Sequence, residues 1–373
     1  MAETEFRAGL EGVIASQTDI SYLDVAAEQI VIRGYDLIEL ARKVSYIDVV
    51  GLLLDGALPN AAERAALEEA LRAEAELPET IWPVIGFDAP HKEAMDVLRT
   101  GISALAAFDG ELGDRSREAN RRKTIRLLAK VPALVAGGYR VQSGQQPIAP
   151  RKELSYSANF LHMLTGREPN ALEERAFDQS LIVYSEHEMP NSTFVARVIA
   201  STQSDLYGAL TGAVASLKGT LHGGANEAVM LMLEEAKTPS GFERLLRQKL
   251  AAKERIMGFG HRVYMRKPDP RALLMKEALA VLSEQRNDTA LYDMCALGER
   301  LMHEEKGLYP NLDYYAAPVY YLLGIPIELY TPIFLAARTS GIGAHVAEQH
   351  ANNRLFRPRV LYNGPRGLVP AGE

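Results

Sequence analysis

Three of the eight histidines stand in company that suits chemistry. His187 lies in YSEHEMPNSTF, where Pro190 breaks a helical pattern beside Asn191 and Ser192. His222 lies in LHGGANEAV, where Gly223 and Gly224 precede a helix N-terminus, a place that stabilises negative charge on an oxygen. His261 lies in MGFGHRVYMRKPDPR, after Gly258, Phe259 and Gly260 and before Arg262, Arg266, Lys267 and Arg271. Imidazole exchanges protons near neutral pH, glycine lets backbone approach a ligand closely, and grouped arginines suit carboxylate or phosphate. The competing reading of the last stretch is a solvated basic loop around a satisfied histidine. One such histidine is easily explained by packing; three framed by glycine or proline are more than packing needs.

Asp313, in GLYPNLDYYAAP, is a fourth candidate. An aspartate between Leu312 and two tyrosines is expected to be desolvated, which raises its pKa and improves it as a base. It could equally cap the segment that follows. Arg338 (AARTSG) and Arg357 (RLFRPRV) sit in largely apolar surroundings, where an unpaired guanidinium is costly. A bound dicarboxylate would account for them, and so would internal salt bridges to Glu328 or Glu348. His91, His162 and His303 have no chemical company. His345 and His350 are five apart on a predicted helix, not on one face. With no i, i+4 histidine pair of the metalloprotease kind and a single cysteine, Cys295, no metal site is expected.

These residues need a scaffold, and the pattern predicts a mainly α one. Short β-branched runs, Ile20-Ser21-Tyr22 and Ile30-Val31-Ile32, point to a small N-terminal hairpin region. Two short helices then run to Gly56, and Asn60 caps a charged surface helix. Further helices are expected over 92–108, over 120–137 with a kink at Pro132, over the stretch ending at Gly166, and from Asn170. A Gly/Gln/Pro loop is expected over 137–153. Residues 192–218 read as a near-continuous apolar helical tract rich in small residues. Residues 225–255 and 271–306 are more charged, and the chain turns apolar and aromatic again after Pro310. That shift predicts a large domain of residues 1–224 plus 319–373 and a small one of 225–318. No βαβ alternation is visible, which argues against Rossmann and barrel folds.

The 373 residues suffice for a sizeable core, and a charged fraction of 24% with 47% hydrophobic residues is ordinary for a globular protein. A net charge of -7 disfavours nucleic acid and anionic membranes as partners. The apolar runs are far shorter than the ~20 residues of a membrane helix, no signal peptide is visible, and one cysteine fits a reducing cytoplasm.

EHEMPNSTF, LKGTLHGGANEAV, GFGHRVYMRKPDPR, GLYPNLDYYAAPVYYLLGIP and ANNRLFRPR, in this order, resemble the citrate synthase family. The likeness extends over nearly the whole chain, from GLEGVIASQTDISYLD to RPRVLYNGP. Within the family, YSEHEMPNSTFVARVIAST and AHVAEQHANNR look most like bacterial 2-methylcitrate synthases. The resemblance implies a two-domain helical homodimer that condenses an acyl-CoA with oxaloacetate and hydrolyses the thioester, without metal. Coenzyme A thioester is then a co-substrate and no cofactor is permanently bound.

By the same resemblance, Asp313 is the base, His222 the donor to the enolate oxygen, and His261 the acid on the oxaloacetate carbonyl. His187, Arg271 and Arg338 hold the dicarboxylate, with Asn191 supporting His187 and Arg357 reaching in from the other subunit. Arg255, Ile256, Met257, Gly258 and Phe259 form the loop around the CoA adenine, and Arg266 contacts a CoA phosphate. Propionyl-CoA is the expected substrate, with acetyl-CoA accepted as well. A dedicated citrate synthase is the alternative, since one methyl group gives only about 1–3 kcal/mol of discrimination. A non-catalytic helical dimer is disfavoured by the intact His222, His261 and Asp313.

Overall fold

The computed structural model describes residues 6–24, 26–27, 29–86, 93–261 and 267–370. The β-branched runs near the start form a three-stranded antiparallel sheet: β1 (Ser21–Asp24), β2 (Gln29–Ile32) and β3 (Tyr35–Asp36). Ser21 pairs with Ile32 and Asp24 with Gln29, so Ile20, Leu23, Ile30 and Ile32 bury together. Sixteen α-helices follow among the described residues. Asp36 caps α1 (Leu37–Lys43), Ser45 caps α2 (Tyr46–Asp55), and Gly56 closes α2 in the left-handed conformation at φ 87°. Asn60 caps α3 (Ala61–Ala73) in a reciprocal pair with Glu63, as its sequence pattern predicts.

After α4 (Ile81–Ile85) and α5 (Ala94–Leu105) comes α6 (Arg117–Gln142), which runs through Pro132 and past the start expected for the loop. Gly137 and Gly138 do not end it. A Cβ at Gly137 would overlap the Trp82 ring, and one at Gly138 would crowd Val97, so these glycines serve close packing. Then follow α7 (Tyr156–Thr165), ended by Gly166, and α8 (Ala171–Ser185), capped by Asn170. The tract read as near-continuous is two helices, α9 (Asn191–Ser201) and α10 (Leu206–Leu217). Asp205 makes the break by accepting from the Gly208 amide, a cap that apolar periodicity hides.

The more charged stretch holds α11 (Ala225–Ala236), α12 (Pro239–Ala251), α13 (Pro270–Gln285) and α14 (Ala290–Lys306). Here α12 packs on α14, and both α11 and α13 pack on α15 (Leu312–Leu322). The last helix, α16 (Tyr330–Ala351), is buried over most of its length against α6, α8, α9 and α10. Arg338, Gly341 and His345 fall at i, i+3 and i+7 along it, one stripe. A Cβ at Gly341 would collide with the Ser185 carbonyl and the Glu186 carboxylate, so glycine lets the end of α8 lie directly on α16. No helix among the described residues is long and apolar enough to cross a membrane.

Candidate active site

Four chain breaks converge near the middle of α16. The first is the α8–α9 connection, which holds His187, buried to 9% exposure. The second is the turn before α11. There His222 and Gly223 donate their amides to the Gly219 carbonyl, and Gly224 at φ 78° starts the helix. The third is the turn Gly258–His261. Gly258 sits at φ 87° where a Cβ would press on Val229 and Tyr314, and Gly260 sits at φ 76°. The fourth is the start of α15.

The third and fourth are tied by backbone bonds. The Gly260 amide donates to the Tyr309 carbonyl (2.9 Å), and the Asn311 amide donates to the Gly258 carbonyl (2.9 Å). The Asn311 carboxamide also donates to the Gly260 carbonyl (3.1 Å). Its oxygen accepts from the Asp313 amide (3.1 Å), so Asn311 is the cap of α15. The capping alternative for Asp313 is thereby removed, and its carboxylate is left for other work.

Asp313 Oδ1 accepts a 2.6 Å hydrogen bond from the Tyr184 hydroxyl. Burial pushes the Asp313 carboxyl above the ordinary carboxylate range, while Tyr184 and the Arg271 and Arg338 cations pull part of that shift back. The result is a base stronger than a solvated aspartate yet held by a neutral partner on one oxygen. Tyr184 stands three residues before His187, and the tyrosine packs on Phe334 at 4.7 Å between ring centres. Sequence reading passed it over because an apolar helical stripe and a site-facing phenol look the same in a one-dimensional pattern.

The hydroxyl stabilises the Asp313 anion, so Tyr184→Phe raises the carboxyl pKa further. The expected result is an acid limb of the kcat/KM–pH profile displaced to higher pH, with a lower plateau from the less well-held base. An unmoved limb would show that the phenol does not tune Asp313.

The three imidazoles are all held neutral. Burial and then Arg338 lower the His222 pKa to about 4, and burial and then Arg271 lower that of His261 to about 4. Burial, Arg271, His261 and Arg338 together drive His187 well below its ordinary value. His187 and His261 meet edge to face at 5.3 Å. A neutral imidazole carries one N–H and one lone pair, and at His222 the choice is legible. The Ser192 backbone amide donates to His222 Nε2 (3.1 Å), and an amide N–H can only donate. The lone pair is therefore on Nε2 and the proton on Nδ1. The Ser192 hydroxyl lies 2.9 Å from the same Nε2.

Two guanidiniums complete the cluster. Arg271 opens α13 and is 5% exposed. Its Nε and Nη2 donate to Asp269 Oδ1 (3.0 Å) and Oδ2 (2.8 Å), and Asp269 Oδ2 also accepts the Leu312 amide (3.2 Å). Asp269 thus aligns Arg271 with the start of the Asp313 helix. Arg338 is 2% exposed; its Nε donates to the Tyr184 carbonyl (2.6 Å), and its plane covers the Phe334 ring at 4.8 Å. Its Nη1 is buried and makes no hydrogen bond. Neither proposed salt bridge forms: Glu348 pairs with Arg197 at 2.6 Å, and the acid nearest in influence to Arg338 is Glu186. Burial lowers the Arg338 pKa to about 10, which leaves it a full cation at neutral pH.

The remaining expected residues divide. Asn191 is exposed at the start of α9, and its carboxamide oxygen accepts from Ser216 (2.6 Å) on α10. Arg255 is exposed, Ile256 is buried, Met257 is half-buried, and Phe259 packs on Tyr314 with ring centres 4.4 Å apart and planes tilted by 52°. Arg357 is exposed on an irregular tail and is not brought to the cluster within this chain. That tail follows α16 and first lies against α9, where Phe356 packs on Phe194 at 5.7 Å and its amide donates to Ser201. Arg262 and Arg266 lie outside the described residues. No group of acids, histidines and cysteine that could hold a metal occurs among the described residues.

A buried carboxylate, two glycine-framed neutral imidazoles and two buried arginines on a mainly helical frame suit proton transfer on an anionic substrate. Residues 9–359 match the family model described as citrate synthase, C-terminal domain. The chain is 63% identical over 361 residues to the citrate/2-methylcitrate synthase of Bacillus subtilis (strain 168), across 97% of each chain. It is 60% identical over 364 residues to the citrate synthase of Heyndrickxia coagulans, across 98% of each. Among solved structures, the ternary complex of citrate synthase from Thermoplasma acidophilum with carboxymethyl coenzyme A and oxaloacetate superposes with a TM-score of 0.91. That likeness carries 31% identity and covers 98% of each chain. The chain belongs to the citrate synthase family.

Proposed function

We propose that this enzyme condenses an acyl-CoA with oxaloacetate and then hydrolyses the thioester, forming 2-methylcitrate from propionyl-CoA and citrate from acetyl-CoA. Two observations support the reading: Asp313 is a buried carboxylate with a raised pKa, and His222 is a neutral imidazole whose proton is confined to Nδ1. A thioester α-proton is weakly acidic, and a carboxylate removes it only if the nascent enolate oxygen is stabilised in the same step. A positioned donor in a water-poor site contributes about 3–4 kcal/mol of that. The neutral His222 suits this work, because an imidazole with a depressed pKa donates a hydrogen bond without first having to be charged.

In this reading Asp313 takes the α-proton, and the carbon attacks the oxaloacetate carbonyl while His261 donates to the carbonyl oxygen. His187, Arg271 and Arg338 hold the two carboxylates, and the buried Arg338 Nη1 is an available donor for one of them. Holding the carbonyl against the carbon nucleophile converts a bimolecular encounter into an oriented one. The segment Arg255–Phe259 with Arg266 receives the CoA adenine and phosphates, and Asn191 supports the His187 turn through the start of α9. A homodimer in which Arg357 reaches the partner's dicarboxylate accounts for its distance from the cluster in one chain. The chain divides into a large domain of residues 1–224 plus 319–373 and a small one of 225–318, whose approach excludes water before condensation. Cytoplasmic placement agrees with the lone buried cysteine.

The test is thiol release from acetyl-, propionyl- and butyryl-CoA with oxaloacetate. Release from both acetyl- and propionyl-CoA, with kcat/KM values within about 200-fold of each other, is expected from the small worth of one methylene. Exclusive use of acetyl-CoA would make the enzyme a dedicated citrate synthase, and no release from any thioester would overturn the reading.

A further inference from the structure

His187 is bracketed by two bonds to one side chain from the far end of the chain. Ser21, at the start of β1 and 8% exposed, donates its hydroxyl to Glu186 Oε1 (2.8 Å). The same hydroxyl oxygen accepts the Glu188 amide (3.0 Å). Glu188 has φ 60°, a left-handed conformation that a non-glycine residue holds only when its surroundings impose it. The turn Glu186–Glu188 is therefore shaped by Ser21 as much as by its own sequence.

Behind that turn lies a buried polar chain. The Arg197 guanidinium, 3.0 Å from His345 Nδ1, can only donate, so Nδ1 carries the lone pair and His345 Nε2 carries the proton. That proton points at Glu186 Oε1 (3.2 Å). Burial raises the Glu186 carboxyl, but His345, Arg338 and Ser21 outweigh it and keep the group ionised. Arg197 also donates to Glu348 (2.6 Å) and to Ser16 (2.8 Å), and Glu348 accepts from Thr18 (3.2 Å) and from the Asp19 amide (2.9 Å). The segment 16–21 is thus clamped to α9 and α16 at several points, and one clamp ends on the residues flanking His187. Glu186 Oε1 accepts from both Ser21 and His345 while Oε2 is buried without a hydrogen-bond partner among the described residues, so the network fixes the carboxylate through one oxygen.

We propose that Ser21 is a positioning residue for dicarboxylate binding: by holding Glu186 and Glu188 together it sets the orientation of His187 from outside the cleft. The inference rests on the reading of His187 as an oxaloacetate ligand. Ser21 itself touches no substrate, so its removal acts through the turn. It also gives the N-terminal sheet a task that stability alone does not require.

The experiment compares Ser21→Ala and Ser21→Thr with wild type by steady-state kinetics, by calorimetric titration with oxaloacetate, and by thermal unfolding. Removing one buried hydroxyl that serves a carboxylate and an amide is expected to weaken oxaloacetate binding about tenfold. The KM for the acyl-CoA stays near wild type, the unfolding midpoint falls by no more than about a few degrees for the two lost buried bonds, and Ser21→Thr, which keeps the hydroxyl, restores oxaloacetate binding. Unchanged oxaloacetate affinity in Ser21→Ala overturns the proposal. So does a loss that falls equally on both substrates and follows a lowered unfolding midpoint, which would mark a purely structural role. Wild-type protein that fails to bind oxaloacetate would instead remove the reading of His187, and with it this inference.

Discussion

Asp313→Asn is expected to lower kcat by about 10²–10⁴-fold, the range of a lost general base, while oxaloacetate still binds. The substitution is nearly isosteric, and the carboxamide oxygen can still accept the Tyr184 hydroxyl that now meets Asp313 Oδ1 at 2.6 Å. The Asn311 cap and the Gly258–Asn311 pairing do not involve the Asp313 side chain, so the start of α15 remains in place. The variant thus removes proton-accepting capacity and little else. Calorimetry for oxaloacetate beside steady-state thiol release separates the two. A variant that turns over within tenfold of wild type would show that another group takes the proton.

His222→Gln is expected to cost about 10²–10³-fold in kcat, with little change in either KM, because its donor is needed where charge develops rather than in the ground state. Ser192→Ala supplies the contrast. The Ser192 backbone amide, which places the lone pair on His222 Nε2, survives that change, and only the hydroxyl at 2.9 Å is lost. Its effect should therefore be much smaller than that of His222→Gln. If the two variants lose activity equally, the hydroxyl rather than the amide sets the tautomer.

Much of this arrangement was legible in the chain before folding. Strand runs, caps at Asn60 and Asn170, and terminating glycines at 56 and 166 act locally, so the residues that cause them sit beside their effects. His222, His261 and Asp313 stand out as candidates for the same reason: each interrupts a regular pattern with glycine, proline or an isolated charge. What sequence reading lost was partnership across distance. Nothing local to Tyr184 says that its hydroxyl meets Asp313 129 positions away. Nothing local to Glu348 says that it serves Arg197 and the N-terminal segment rather than Arg338. Gly137 and Gly138 misled because a glycine pair needed for helix packing has the same letters as a glycine pair that ends a helix. Nothing in the composition of the basic stretch after His261 says that Arg271 pairs with Asp269 at the helix start.

The central claim is that Asp313 and His222 act together to make the acyl α-carbon nucleophilic. It is tested most directly by hydrogen exchange at that carbon, with acetyl-CoA in deuterated water and a dicarboxylate whose ketone is reduced to an alcohol, so that condensation cannot follow. Wild-type protein is expected to exchange the α-hydrogens, and Asp313→Asn and His222→Gln each to abolish exchange while still binding both ligands. Exchange at the wild-type rate in Asp313→Asn would contradict the account.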